Sequence, residues 1–159
     1  MKFSAKRLAI GGVTAALYVV LTLVTSLFGL SSGFIQFRLS EALCILPCFT
    51  PAAIPGLFIG CLLANLLSGA AIWDIILGSI ATLLGAIGTY FLRKRRFLAS
   101  MPPIVANTII VPLVLVLVYH VEMAYILIVL SIGISEIISA GVLGQLLYIP
   151  LSRKHKLFG

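Results

Sequence analysis

The feature that most constrains this chain is its succession of long apolar runs, divided by short polar or basic breaks. A helix needs ~20 mostly apolar residues to cross the ~30 Å hydrocarbon core of a bilayer. Residues 8–30, 72–92, 104–119 and 124–150 each read as such a span. Lipid offers no partner for unpaired peptide groups, so runs of this length predict helices, not irregular backbone. Composition agrees. Of 159 residues, 62% are hydrophobic and 9% charged, against ~25% charged in an ordinary soluble domain. A water-soluble fold of this composition would expose apolar patches larger than soluble monomers carry. The first run is longer than the ~7–15-residue core of a secretory signal, and no small-residue cleavage site follows it. It is therefore expected to remain as a helix.

The stretch 34–67 is the ambiguous one. It reads either as one over-long helix or as two short ones meeting at Pro51-Ala-Ala-Ile-Pro55. Proline disfavours helix at the residue before it, which suits a tight turn at Thr50-Pro51 and Ile54-Pro55. Charge decides between the two. With two spans, Lys2, Lys6 and Arg7, then Arg93 to Arg96, then Arg153, Lys154 and Lys156 share one side. With one span the middle cluster would lie opposite the first, against the bias of Lys and Arg toward the cytoplasm. The expectation is an all-α integral membrane protein, a single domain of six transmembrane helices. Their approximate bounds are 8–30, 34–50, 54–69, 72–92, 103–120 and 124–150, with both termini cytoplasmic. The formal charge of +7 thus reads as a topology signal. Nucleic-acid binding is not expected, because the basic residues form short clusters and not a stripe with interleaved aromatics.

Under this arrangement Arg38 is the one Lys or Arg among eleven away from the cytoplasmic side. Glu41, Asp74 and Glu122 fall near the outer face, and Glu136 falls midway along the last span. An ionisable group at mid-membrane costs at least ~2.5–3.5 kcal/mol to insert, so it faces protein or a cavity. Glu136 sits among Ser131, Gly133, Ser135, Ser139 and Gly141, small residues that let neighbouring backbones approach. Either a neighbouring helix satisfies it or it contacts a ligand or ion, and its position favours the second. Arg38 and Glu41 are helical neighbours, compatible with a local ion pair or with an outward-opening polar pocket. Trp73-Asp74 reads equally as an interfacial anchor with a capping acid or as part of that pocket. Asn107 and Asn65 are further polar residues within spans, where interhelical hydrogen bonding is the common role. His120 and Glu122 read as outer-loop residues.

Several chemistries are not expected. There is no G-x-x-x-x-G-K-[ST], H-E-x-x-H or G-x-S-x-G motif, so neither ATP hydrolysis nor one of these hydrolytic activities is predicted. Cys44, Cys48 and Cys61 lie in apolar runs without the further ligands of a metal set. No metal or cofactor is expected. In the first span Gly11 and Ala15, and equally Gly12 and Ala16, form small-xxx-small pairs suited to close packing of another helix. Ala5 and Ala9 extend that stripe.

Over essentially its whole length the chain resembles the QueT family, substrate-binding (S) components of energy-coupling factor (ECF) transporters. The resemblance is carried by Gln36-Phe-Arg38-Leu-Ser-Glu41-Ala-Leu, Leu46-Pro-Cys-Phe-Thr-Pro51-Ala-Ala-Ile-Pro55-Gly-Leu and Gly60-Cys-Leu-Leu-Ala-Asn65-Leu. Trp73-Asp74-Ile-Ile-Leu-Gly78-Ser-Ile-Ala-Thr-Leu and Pro102-Pro103-Ile-Val-Ala-Asn107 add to it. The resemblance implies a six-helix protein in a prokaryotic cell membrane that captures queuosine precursors, 7-deazaguanine bases, at the outer face. It also implies partners: a transmembrane coupling protein and two cytoplasmic ATPases. In such S components an A-x-x-x-A-like face of the first helix docks the coupling protein. Here the registers Gly11/Ala15 and Gly12/Ala16 both stay open.

For that ligand, a carboxylate accepts the adjacent ring N–H and amino donors of the deazaguanine edge, a role for Glu136 or Glu41. The base carbonyl needs a donor, available from Arg38, Gln36 or Asn107. A cationic aminomethyl group would suit Asp74, and Trp73 offers a stacking face. The alternatives are an S component for riboflavin, thiamine or folate, a small membrane enzyme using Glu136 and Asp74 as acid and base, and a purely structural subunit.

Overall fold

The computed structural model describes residues 5–30, 37–120 and 124–153. Lys2, Gln36, Glu122, Lys154 and Lys156, all used above, lie outside the described residues. The described elements are all helical. In chain order they are α1 (Ala5–Leu27), a 3-10 helix (Leu39–Cys48), α2 (Ala53–Leu67), α3 (Ile72–Leu92), a single 3-10 turn (Leu98–Ser100) and α4 (Met101–Leu117). The last described stretch is one long rod of α5 (Tyr125–Glu136), a π-helical segment (Ile137–Leu143) and α6 (Gly144–Arg153).

Among the described residues, four stretches are long and apolar enough to cross a membrane: Ala5–Leu27, Ile72–Leu92, Leu98–Leu117 and Tyr125–Arg153. Leu39–Cys48 and Ala53–Leu67 are apolar but shorter. At ~2.0 Å per residue the 3-10 helix spans roughly 20 Å, and α2 at ~1.5 Å per residue spans roughly 22 Å. Each is shorter than the ~30 Å hydrocarbon core. Between them the chain turns at Thr50-Pro51. There the Ala53 amide reaches the Thr50 carbonyl (3.3 Å), and the Thr50 hydroxyl accepts from the Ala52 amide (3.3 Å). Pro55 falls in the first turn of α2, where a missing N–H costs no helical bond.

The 3-10 helix is the centre of the molecule. It packs against α1, α2, α3, the π-helical segment and α6, and seven of its ten residues are buried, Ser40, Glu41 and Leu43 to Pro47. Around it, helices adjacent in sequence are adjacent in space: α1 with α2, α2 with α3, α3 with α4, and α4 with α5. Two of these contacts are backbone-close because glycine is present. A Cβ on Gly60 would stand 2.8 Å from Tyr18 Cβ and 3.0 Å from Ala15 Cα, which draws α2 onto α1. A Cβ on Gly85 would stand 2.7 Å from Pro103 Cα, so the proline pair opening α4 sits in a notch of α3.

The main core joins Tyr18, Leu43, Cys44, Leu46, Leu57 and Cys61. A smaller apolar cluster of Val111, Ile128 and Ile132 lies between α4 and α5. Large apolar side chains cover the outside, among them Leu8, Val20, Leu66, Leu84, Leu117 and Ile134. That distribution is expected when the surrounding solvent is hydrocarbon. Hydroxyl groups enter this setting by bonding the carbonyl one turn back, as Thr14 does to Ile10 (2.8 Å), Ser79 to Ile75 (2.6 Å) and Ser135 to Ser131 (3.0 Å).

At the end of the bundle carrying Arg93 to Arg96, Gln145 is a hub to which sequence reading assigns no role. Its amide donates to the Arg96 carbonyl (2.9 Å) and to Ser100 Oγ (2.7 Å), and its Oε1 accepts from Arg96 Nε (2.9 Å). The Arg96 guanidinium also lies 4.9 Å from the Tyr148 ring centroid. This set ties the α3–α4 connection to α6.

Candidate functional site

The first span carries a polar stripe, Thr14, Tyr18, Thr22 and Thr25, at helical spacing, and all four side chains are buried. They face inward because the 3-10 helix presents polar partners to them. Thr22 Oγ1 donates to Ser40 Oγ (2.8 Å). The Tyr18 hydroxyl donates to Glu41 Oε1. The second carboxylate oxygen, Oε2, accepts from Asn107 Nδ2 of α4 (3.2 Å) and from Cys44 Sγ (3.2 Å). Glu41 is 1% exposed, and three elements converge on it.

Beside it lies a small cleft, partly open to the outside, whose enclosed space in this state holds little more than a water molecule. Arg38, Glu41, Gly78, Asn107 and Glu136 supply its polar and small lining, and Val111 and Ile132 its apolar wall. Glu136 is the last residue of α5, where the rod passes into the π-helical segment. Such wide turns shift the angular register of the following side chains and recur at functional sites. The Glu136 side chain is 95% buried, and its Oε2 has no hydrogen-bond partner among the described residues. Ser139 Oγ, one turn on, is buried without a partner as well. Leaving a buried acceptor unmatched costs ~1–3 kcal/mol, more for a charged one, so an oxygen in this state beside a cleft points to a missing donor.

Arg38 does not hydrogen-bond its helical neighbour Glu41. Its Nη1 reaches Asn65 Oδ1 on α2 (3.4 Å). Asn65 in turn donates to the Asp74 carbonyl (3.4 Å) and to Cys61 Sγ (3.6 Å). Asn65 is therefore an anchor between α2, α3 and the arginine. Gly78 leaves room here, since a Cβ on it would stand 3.1 Å from Asn65 Nδ2 and 3.6 Å from Asp74 Oδ1.

Of the residues singled out from sequence, Arg38, Glu41, Asn107 and Glu136 line one cleft. Asp74 stands next to Gly78 at its margin, with Tyr119 Oη 3.5 Å from its Oδ2. It does not cap α3, whose N-cap is Ala71 with no side-chain bond. Trp73 is 56% exposed and outside the lining. Gln36 lies outside the described residues. Gly11 and Ala15 pack on α2, with a Cβ on Gly11 standing 3.1 Å from the Ala52 carbonyl, whereas Gly12 has nothing within 4 Å and Ala16 is exposed. Tyr18 and Gly78 are the site neighbours that sequence reasoning passed over. The signal for Tyr18 was the Thr14-Tyr18-Thr22-Thr25 stripe, while Gly78 carried none.

Chemically, the cleft offers two carboxylates as acceptors, a guanidinium as donor, an amide able to do both, and an apolar wall. That set suits a small, flat solute with donors and an acceptor on its edge. A family model described as the QueT transporter matches residues 8–153. The chain belongs to the QueT transporter family. It is also 42% identical over 71 residues to a queuosine precursor transporter of Lactococcus lactis subsp. cremoris (strain MG1363). That match covers 45% of this chain and 41% of the relative. No solved structure matches the chain. Among the described residues, four helices are long and apolar enough to cross a membrane, in keeping with membership of a transporter family.

Proposed function

We propose that this chain is the substrate-binding subunit of an ECF-type importer and captures a queuosine precursor, a 7-deazaguanine base, at the outer face of the membrane. The single observation that carries this reading is Glu136 Oε2, buried and unpartnered beside a cleft that also holds Arg38, Glu41 and Asn107. Both oxygens of Glu41 are already taken by protein donors. Glu136 is therefore the carboxylate that receives the ring N–H and amino group of the base, a charge-assisted and geometrically matched pair. Arg38, steadied by Asn65, donates to the base carbonyl. Val111 and Ile132 cover the ring face. Asp74, at the margin, meets a cationic aminomethyl substituent. Trp73 anchors the start of α3 at the interface, as exposed tryptophans commonly do.

In this reading the chain crosses the membrane six times with both ends cytoplasmic, the two short helices included. A short hydrophobic element is accommodated by local thinning or by burial inside the bundle, and the 3-10 helix is buried on nearly every side. The free Gly12/Ala16 register of α1 docks a transmembrane coupling protein, and two cytoplasmic ATPases supply the energy. The name of the Lactococcus relative supports the ligand class.

Calorimetric titration of the detergent-purified protein tests the ligand. A 7-deazaguanine base is expected to bind and to raise the unfolding temperature by mass action, while riboflavin, thiamine and folate do neither. Binding of one of those vitamins with no response to any deazaguanine would overturn the assignment.

A further inference from the structure

Among the described residues, Tyr18 is the largest side chain buried to less than 2% exposure. It lies outside the cleft lining, and its hydroxyl donates to Glu41 Oε1. One turn further along α1, Thr22 holds Ser40, the residue before Glu41. Two successive positions of the 3-10 helix are thus registered by two successive turns of α1. On the other side of the carboxylate, Oε2 holds Asn107, which lines the cleft with Glu136. Tyr18 and Asn107 occupy different oxygens of one group, so the direction of that carboxylate plane depends on both.

We propose that Tyr18 is a positioning residue of the ligand site, orienting the Glu41 carboxylate and, through it, the Asn107 amide that faces the ligand. The inference rests on the ligand reading above. Both oxygens of Glu41 are held by protein donors, and loss of the phenol leaves Oε1 buried without its donor. The carboxylate then turns toward its remaining donors and carries Asn107 with it. Phenylalanine keeps the ring that packs against α2 and removes only the hydroxyl, so Tyr18→Phe isolates the hydrogen bond from the packing.

The test is a double-mutant cycle in ligand affinity on the full chain. Wild type, Y18F, E41L and the double variant are titrated with 7-aminomethyl-7-deazaguanine; leucine removes both acceptor oxygens, which glutamine would not. Thr89→Val, which loses a buried hydrogen bond to the Ala99 carbonyl far from the cleft, controls for general destabilisation. Y18F is expected to weaken binding about tenfold, Thr89→Val less than about twofold, and Y18F in the E41L background less than about twofold, because its route of action is gone. Should E41L bind too weakly to titrate, Asn107→Ala closes the cycle with the same two outcomes. Wild-type affinity in Y18F, or an equal loss in both backgrounds, overturns the inference while leaving the ligand assignment standing. Absence of binding by the wild type removes the ligand assignment and this inference with it.

Discussion

In the proposed reading Glu136 is the residue on which ligand capture turns, because among the described residues its carboxylate alone has a buried oxygen without a hydrogen-bond partner. A buried polar group with nothing to bond is tolerated where a partner arrives later, and a ligand donor removes the deficit on binding. Glu136→Gln keeps the volume but replaces one acceptor oxygen with a donor facing the donor edge of the base. The expected outcome is a loss of affinity of about 10–100-fold, the size of a charged hydrogen bond, read by calorimetry. The unliganded protein should unfold at the same temperature or higher, since the unmatched acid is gone. A variant that binds as the wild type does would place the ligand elsewhere.

At the scale of elements, the arrangement depends on how closely α1, α2 and the 3-10 helix approach. Gly60 lets α2 lie against the backbone of α1 beside Tyr18, the residue that holds Glu41. The Cβ of a leucine at Gly60 would meet Tyr18 Cβ at 2.8 Å, a distance real side chains do not keep, and Ala15 at 3.0 Å, so α1 and α2 must separate. Overpacking of this kind costs ~1–3 kcal/mol or more. Gly60→Leu is expected to lower the thermal midpoint in detergent and to weaken ligand binding together. Unchanged affinity in a destabilised variant would uncouple the α1–α2 seam from the site. The rod from Tyr125 to Arg153 shows the same dependence differently, its π-helical turn beginning where Glu136 has to point inward.

Across the whole molecule, α1 works on two faces. Its inner face, with Gly11, Ala15 and Tyr18, packs on α2 and on the site. Its outer face, with Gly12 and Ala16, is uncovered. Gly12→Leu therefore disturbs no internal contact. Ligand affinity and thermal midpoint are expected to hold while co-purification with the coupling protein and ATPases is lost. Retention of the complex would mean that this face meets only lipid and that docking occurs on another helix.

The sequence by itself determined the solvent and the candidates. Apolar runs of spanning length require helices, since lipid satisfies no backbone group. The same cost makes every ionisable or amide residue inside a run conspicuous, which is why Glu136, Arg38, Glu41 and Asn107 were legible. Tertiary structure alone decided which of them share a cleft, that Arg38 turns to Asn65 and not to Glu41, and that Trp73 stays outside. It also decided that the segment bearing Glu41 is a 3-10 helix, and which of two adjacent small-residue registers on α1 is free. The physical reason is rotational. A helix apolar on nearly every side carries little moment to say which face turns inward. Its setting comes from where glycines and prolines let a neighbour approach and from which buried donors find acceptors, and those pairings form only when helices distant in sequence are packed together.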